Sequence, residues 1–298
     1  MSGSFDRLSL LATFVRIVER GSISAAARDL GLSQASASRQ LQALEARLDA
    51  VLLERTTHSL TLTEAGASCL ADARALLDGW STLEEQHTDD GAVRGALKVV
   101  APVALGQGLL AEAAFSFQAG HPEVRFTWLL EDGDIRFAEI GCDLWIRIGA
   151  PKDDTLVVRE LGRVERLVVA APELLNGARG RGPERLSDLP CAALEQFEGV
   201  EIPLTDKKGR ACAIRARAVL TTNNLFVALA AARAGRAFAV APLWLVEADL
   251  RSGRLIDAAP GWRAPTLPVV AAFRPAAQRP KRLARFIEHI AQAVGAAA

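Results

Sequence analysis

The 298 residues are enough for two domains, and half of them are hydrophobic, so the chain can bury a substantial core. Lysine and arginine together number 35, as do aspartate and glutamate, which excludes a general attraction to nucleic acid or membranes through net charge. The start lacks a positively charged segment followed by an apolar run, and no stretch is apolar enough to span a bilayer, so we expect a cytoplasmic protein without a membrane partner.

Residue types that carry redox, metal or acyl-transfer chemistry are sparse. The four histidines show no ligand spacing, and no G-x-S-x-G motif supplies a nucleophile, so we expect no catalytic residue, no metal and no cofactor. The cysteines lie far apart and form no C-x-x-C pair, which favours reduced, mostly buried thiols. They are Cys69, Cys142, Cys191 and Cys212.

The first fifty residues predict three helices joined by tight turns. A helical stripe of apolar residues covers residues 8–18, and Gly21 is placed to end that helix. Ser22 can cap a short alanine-rich helix that Gly31 stops, and Ser33 can cap a third helix. This order is the helix-turn-helix arrangement.

The outer face of the third helix carries side chains that can hydrogen-bond to base edges and phosphates in a major groove. These are Gln34, Ser36, Ser38, Arg39 and Gln42. The competing interpretation is an ordinary solvated face, and charge does not decide between them, because the seven arginines and seven acids of residues 1–65 cancel.

The stretch "LATFVRIVERGSISAAARDLGLSQASASRQLQALEARLDAVLLERTTHSLTLTEAG" resembles the winged helix-turn-helix of the LysR-type transcriptional regulators. The elements L-x-x-S-Q, S-R-Q, L-x-x-R-T and L-T-x-A-G appear in order. The resemblance implies two sets of DNA-binding residues. The recognition helix supplies Ser33, Gln34, Ala35, Ser36, Ser38, Arg39 and Gln42, and the wing supplies Arg55, Thr56, Thr57 and His58.

Three positions depart from the family pattern, which usually has glycine at Asp49, phenylalanine at Leu53 and arginine at His58. Aspartate tolerates positive φ less well than glycine, so Asp49 is expected to tighten or tilt the turn into the wing. A histidine at position 58 predicts weaker and more pH-sensitive DNA binding, or it is a solvated wing residue.

A long helix follows, with Thr63 as its N-cap and apolar residues at three- and four-residue spacing. The stripe consists of Leu70, Ala73, Leu76, Leu77, Trp80 and Leu83. The helix packs either on a partner helix or on its own chain, and the resemblance favours a dimer. A dimer presents two recognition helices to one pseudo-palindromic site on double-stranded DNA.

In the larger half, strands alternate with helices, which predicts an α/β domain with parallel sheets and two lobes. The stretches "DLWIRIG", "LVVAAPELL", "RAGRAFAVAP" and "RFIEHI" resemble the effector domain of LysR-type regulators, which has the fold of periplasmic binding proteins. The resemblance implies that a small-molecule effector binds between the two lobes of this domain. It also implies that the protein is a homodimer or homotetramer.

The predicted fold is therefore an α-helical winged helix-turn-helix domain and a two-lobed, periplasmic-binding-protein-like α/β domain, joined by a long linker helix. The expected bounds are 6–63 for the DNA-binding domain, 64–91 for the linker helix and hinge, and 92–298 for the effector domain. Lobe one is expected at 92–165 and 266–298, and lobe two at 166–265.

Ligands of open α/β sheets bind beyond the carboxyl ends of strands, near the starts of the following helices. Two such corners are Pro102, Val103 and Ala104 after the first strand, and Thr222 and Asn223 after a later one. Backbone N–H groups there could hold a carboxylate or another anion, or Thr222 or Asn223 simply caps a helix.

Two further effector-site candidates are Phe197 and Arg147. The resemblance places Phe197 where the second lobe overhangs the cleft, although a loop aromatic is more often buried. Arg147 could pair with a ligand, or with a structural acid such as Asp143 or Glu131. Two other functions remain open: a ligand-independent architectural DNA binder, and an α/β enzyme fused to a helix-turn-helix.

Overall fold

The computed structural model of the protein describes residues 6–55, 60–87, 93–176, 182–195, 201–215, 217–275 and 279–297. Two compact units are present. The first holds the described part of residues 1–93 together with 136–141 and 279–281, and the second holds the rest.

The first unit is built from helices whose ends the sequence specifies locally. The elements are α1 (Arg7–Arg20), α2 (Ile23–Asp29), α3 (Gln34–Leu48), β1 (Leu53–Arg55), β2 (Leu60–Leu62) and α4 (Glu64–His87), with β1 and β2 antiparallel. Gly21 adopts the left-handed conformation at the end of α1. Ser22 and Ser33 cap α2 and α3 by accepting the N–H groups of Ala25 and Ser36. The three predicted helices are confirmed.

The core of this unit joins all four helices. Its members include Leu10, Phe14, Ile17, Ala26, Leu41, Leu44, Leu52, Leu70 and Ala73. The small side chain of Ala26 lies fully buried, which permits a close crossing of α2 against α1 and α3.

The apolar stripe of α4 divides into two parts. Leu70 and Ala73 are buried in the core of the first unit, and Leu77 packs against it. Leu76, Trp80 and Leu83 remain 58%, 46% and 44% exposed. The first turns of α4 therefore pack on their own chain, and the later turns leave an apolar face uncovered. The predicted cap is confirmed, since the Thr63 hydroxyl accepts the N–H of Gly66 at 2.9 Å.

The elements after the linker alternate between strands and helices. They are β3 (Gly95–Ala101), α5 (Val103–Gln107), α6 (Leu109–Gly120), β4 (Val124–Leu130), α7 (Phe137–Ile140), β5 (Leu144–Ile148), β6 (Val157–Ala170), α8 (Pro172–Leu175), β7 (Pro190–Leu194), β8 (Glu201–Asp206), β9 (Ala211–Arg215), β10 (Arg217–Thr222), α9 (Leu225–Arg233), β11 (Ala239–Pro242), α10 (Leu243–Ser252), β12 (Ile256–Asp257), β13 (Trp262–Phe273) and α11 (Lys281–Ala297). α7 belongs to the first unit.

The sheets of the second unit are mixed, and the expectation of parallel sheets was only partly right. One sheet has the order β11-β6-β13-β5-β3-β4, and β7 pairs with β10 separately. The pairs of β3 with β4 and β5, and of β7 with β10, are parallel. The long strands β6 and β13 run antiparallel to each other and to their neighbours β11 and β5. Their antiparallel pairing follows from their role, since each crosses from one lobe to the other in the opposite direction.

The predicted two-lobed α/β fold is confirmed. Lobe one contains β3, β4, β5, α5, α6 and α11, and lobe two contains β7 to β12 with α8, α9 and α10. Lobe two buries an alanine-rich layer that includes Ala228, Ala232, Ala237, Ala239 and Ala241. No helix within the described ranges is both long and apolar enough to cross a membrane.

Candidate nucleic-acid interface and effector cleft

The start of α3 presents a polar, solvent-facing surface. Ser33, Gln34, Ala35, Arg39 and Gln42 are exposed. Ser36 and Ser38 are half-buried at the edge of the same surface. The structure thus brings together every residue that was predicted for the recognition helix, and a helix of this width fits a major groove.

The orientation of α3 depends on two polar contacts that sequence reasoning missed. The hydroxyl of Thr13 on α1 donates to Gln40 Oε1 at 2.6 Å, and both side chains are buried. At the other end of α3, Glu45 Oε1 accepts the backbone N–H groups of Leu52 and Leu53 at 2.9 and 3.3 Å. These contacts fix the helix against α1 and against the start of the wing. A glutamine at a position facing the core was the only signal for the first contact.

Asp49 follows α3 in the left-handed conformation, with φ of 49° and ψ of 41°. It is the only non-glycine residue with positive φ in the described ranges. This conformation is strained for most L-residues, and aspartate tolerates it better than most. The turn into the wing therefore keeps a glycine-like geometry although the glycine of the family pattern is absent.

Ion pairs and backbone hydrogen bonds engage only some of the charged side chains of residues 1–65. Arg16 pairs with Glu19 at 3.2 Å and Arg20 with Asp29 at 3.3 Å. The carboxylates of Asp6 and Glu45 accept hydrogen bonds from backbone N–H groups. Four arginines with described side chains make no ion pair within the described part of the chain, namely Arg7, Arg28, Arg39 and Arg47. The positive charge that stays available to a polyanion therefore includes Arg39 on the α3 surface.

The predicted wing residues are described only in part. Arg55 ends β1, and its side chain is not among the described ones. Thr56, Thr57 and His58 lie outside the described residues.

In the second unit, the turns after β3 and β4 meet at one sheet edge, because these strands are parallel neighbours. Pro102 precedes the first residue of α5. The Val103 N–H donates to Asp132 Oδ1 at 2.9 Å. The predicted backbone donor is therefore engaged by a side chain of the protein itself.

The second predicted corner is the start of α9. Its N-cap is Asn224, whose Oδ1 accepts the N–H groups of Phe226 and Val227. The expectation that Thr222 or Asn223 caps this helix was therefore wrong. Thr222 instead accepts the Asn224 N–H at 3.1 Å, which orients the capping residue.

Asp132 connects the two corners. Asn224 Nδ2 donates to Asp132 Oδ2 at 3.5 Å, from lobe two to lobe one. Burial raises the pKa of Asp132 above the ordinary 3.8, the Val103 N–H lowers it, and the charge of Glu131 raises it. Sequence reasoning missed Asp132, although an acid at the carboxyl end of a strand in a parallel pair was an available signal.

Arg147 is not joined to this cluster. Arg147 pairs with Asp134 at 2.5 Å, not with Asp143 or Glu131 as one interpretation expected, and its guanidinium lies 4.7 Å from the Trp145 ring centroid. Lys152 shares Asp134 at 2.9 Å, so the acid already serves two cations. Phe197 lies outside the described residues, and Ala104 is half-buried on α5.

Comparisons with known proteins agree with both units. Residues 8–67 match the family model of bacterial regulatory helix-turn-helix proteins of the lysR family, and residues 90–295 match the LysR substrate binding domain. The chain is 30% identical to the transcriptional regulator PtxR of Pseudomonas aeruginosa over 99% of this chain and 97% of PtxR.

Solved structures show the same fold. CrgA, a LysR-type regulator from Neisseria meningitidis, matches with a TM-score of 0.60 and 26% identity over 96% of this chain and 98% of CrgA. The full-length regulator LysG from Corynebacterium glutamicum, with bound effector Arg, matches with a TM-score of 0.63 and 18% identity over 97% of this chain and 98% of LysG. The relatives are named as transcriptional regulators and not as enzymes. The chain belongs to the LysR family of DNA-binding transcriptional regulators with an effector-binding domain.

Proposed function

We propose that the chain reads double-stranded DNA with the exposed surface at the start of α3, as a cytoplasmic homodimer or homotetramer whose binding a small molecule controls. The observation that carries this proposal is the α3 surface itself. It combines hydrogen-bonding side chains with Arg39, which no acid of the described residues neutralises. Serine, glutamine and arginine at the start of a groove-entering helix are suited to base edges and phosphates.

Arg55, Thr56, Thr57 and His58 are proposed to flank this surface as the wing. Arg55 is the last residue of β1, and the other three follow it in the sequence before β2, the antiparallel partner of β1. Backbone phosphates are the natural partners there, because such contacts orient the protein on the duplex without reading sequence.

The exposed apolar face of α4 is proposed to join two copies of the chain. Leu76, Trp80 and Leu83 are spaced by four and three residues, so they lie on one side of the helix. Exposed apolar side chains of this size rarely cluster without a partner. A second copy of the helix covers them with the same residues.

A second surface supports assembly beyond the dimer. Within the described ranges, β4 pairs only with β3 and β10 only with β7, so each has a free edge. Exposed apolar residues lie along these edges and on the helices beside them, namely Phe115, Leu129, Val219 and Val227. Free edges with apolar neighbours favour pairing with another chain, so we propose a homotetramer built from two dimers.

The effector is proposed to bind between the lobes, at the corner formed by Pro102, Val103, Ala104, Thr222 and Asn223. LysG, described with bound effector Arg, supports a small-molecule ligand for a domain of this fold. A carboxylate ligand at this corner would compete with Asp132, because the Asp132 carboxylate already accepts the Val103 N–H. The effector changes DNA binding because it binds two arrangements of the lobes with different affinity.

The experiment that tests DNA recognition is selection of duplexes from a random pool by the full-length protein. We expect an enriched pseudo-palindrome with half-sites separated by about 10 base pairs or a multiple of that spacing. Enrichment of bent or A·T-rich duplexes without a common sequence would indicate an architectural binder. Absence of any enrichment would contradict the proposal.

A further inference from the structure

The carboxylate of Asp132 lies where the two lobes approach each other, and its two oxygens serve different lobes. Oδ1 accepts the N–H of Val103, the first residue of α5 in lobe one, at 2.9 Å. Oδ2 faces Asn224 Nδ2, at the start of α9 in lobe two, at 3.5 Å. One side chain thus connects residues 29 and 92 positions away along the chain.

The contact is chemically matched on both sides. Asn224 commits Oδ1 to the N–H groups of Phe226 and Val227, so only its Nδ2 amide group can face Asp132. An ionised carboxylate is an acceptor, and the amide nitrogen is a donor. A negative charge next to the start of α9 is also favoured by the helix dipole.

The length of the Asn224 contact points to a switchable connection. A donor to acceptor distance of 3.5 Å lies at the long limit of hydrogen bonding, whereas the Val103 contact has an ordinary length. The carboxyl is half-buried, so part of its hydration is lost, and this burial raises its pKa. Of these two contacts, the one to lobe two is the longer and therefore the easier to replace.

We propose that Asp132 and Asn224 form a clasp that sets the separation of the two lobes, and that effector binding acts by replacing or tightening the Asn224 side of this clasp. The regulatory part of this proposal rests on the proposed function, but the clasp itself does not. Because Asp132 is an acceptor, the effector group that faces it is a hydrogen-bond donor such as a hydroxyl, ammonium or guanidinium group. A carboxylate in that position would face a like charge.

The test is a double-mutant cycle in the full-length protein, with hydrogen exchange measured at the backbone amides that begin α5 and α9. Asn224→Asp keeps a good N-cap, because aspartate caps as well as asparagine. It places two carboxylates against each other across the lobes. Asp132→Asn instead places two amide groups there. The swap of Asp132→Asn with Asn224→Asp restores one donor and one acceptor.

We expect each single substitution to speed exchange at both helix starts by about fivefold or more, and the swap to return the rates to near wild type. If the two residues do not interact, Asn224→Asp will leave exchange unchanged or slow it, because an acidic N-cap suits the dipole. That result, or a swap that exchanges as fast as the single variants, would overturn the clasp. Binding of the selected duplex by wild type, measured on the same preparation, reports separately on the proposed function.

Discussion

The α3 surface and the cleft between the lobes differ in the distance along the chain over which they are built. The α3 surface is formed by contacts between residues that are close in the sequence. Ser33, for example, caps the helix by accepting the N–H of Ser36. The cleft depends on Asp132 meeting Val103 and Asn224, which are 29 and 92 positions away. Local chemistry therefore defines the proposed DNA-facing surface, and tertiary packing defines the proposed ligand-facing cleft.

The largest effect is expected at the exposed face of α4, which is proposed to link the α3 surfaces of two copies into one DNA-binding unit. Trp80→Glu combined with Leu76→Glu buries like charges at the proposed helix pair, so the dimer should dissociate and its dissociation constant rise by 100-fold or more, on the order of 3 kcal/mol. Analytical ultracentrifugation of the full chain measures this.

Ala75→Glu is the matched control, because this exposed residue lies about 100° around the helix from Leu76. It should leave the dimer intact. Equal dissociation by both variants, or none by either, would contradict dimerisation through this face.

The buried hydrogen bond between Thr13 and Gln40 tests whether the α3 surface also depends on a contact between residues that are distant in the sequence. Gln40→Ala leaves a buried hydroxyl without its acceptor and should destabilise the first unit by about 1–3 kcal/mol. The measurement is urea dependence of hydrogen exchange in α1 and α3.

Replacing both partners, with Thr13→Val and Gln40→Leu, removes the unsatisfied group and should recover much of this loss. A double variant as unstable as Gln40→Ala would show that the hydrogen bond is not the cause.

The sequence predicted the first unit well, because caps, glycine stops and apolar spacing act within a few residues. The hydrogen bond between Thr13 and Gln40 was not predicted, because a polar pair 27 positions apart leaves no periodic signal in the sequence. In the second unit, the alternation of strands and helices predicted the α/β class. Residue spacing does not encode contacts between distant parts of the chain. Sequence reasoning therefore missed the antiparallel course of β6 and β13, the cap at Asn224 and the partner of Arg147.

The smallest effect is expected at Asp49, where the chain departs from the family pattern. Asp49→Gly removes the strain of a left-handed aspartate and should stabilise the first unit by about 0.5–1 kcal/mol. The exchange measurement of α3 amides resolves this gain. Asp49→Ala, which keeps a Cβ and loses the tolerance of aspartate for this conformation, should destabilise instead; a gain of stability with alanine would contradict the strain argument.

The most direct test of DNA reading by α3 compares Arg39→Ala with Arg47→Ala on the selected duplex. Both arginines are exposed on α3 and free of ion pairs within the described residues, but only Arg39 lies near the start of the helix. Arg39→Ala should weaken binding by about 1–3 kcal/mol and relax base preference at one position of each half-site, while Arg47→Ala should change affinity little. Unchanged affinity and preference in Arg39→Ala, with a loss in Arg47→Ala, would contradict recognition through the start of α3.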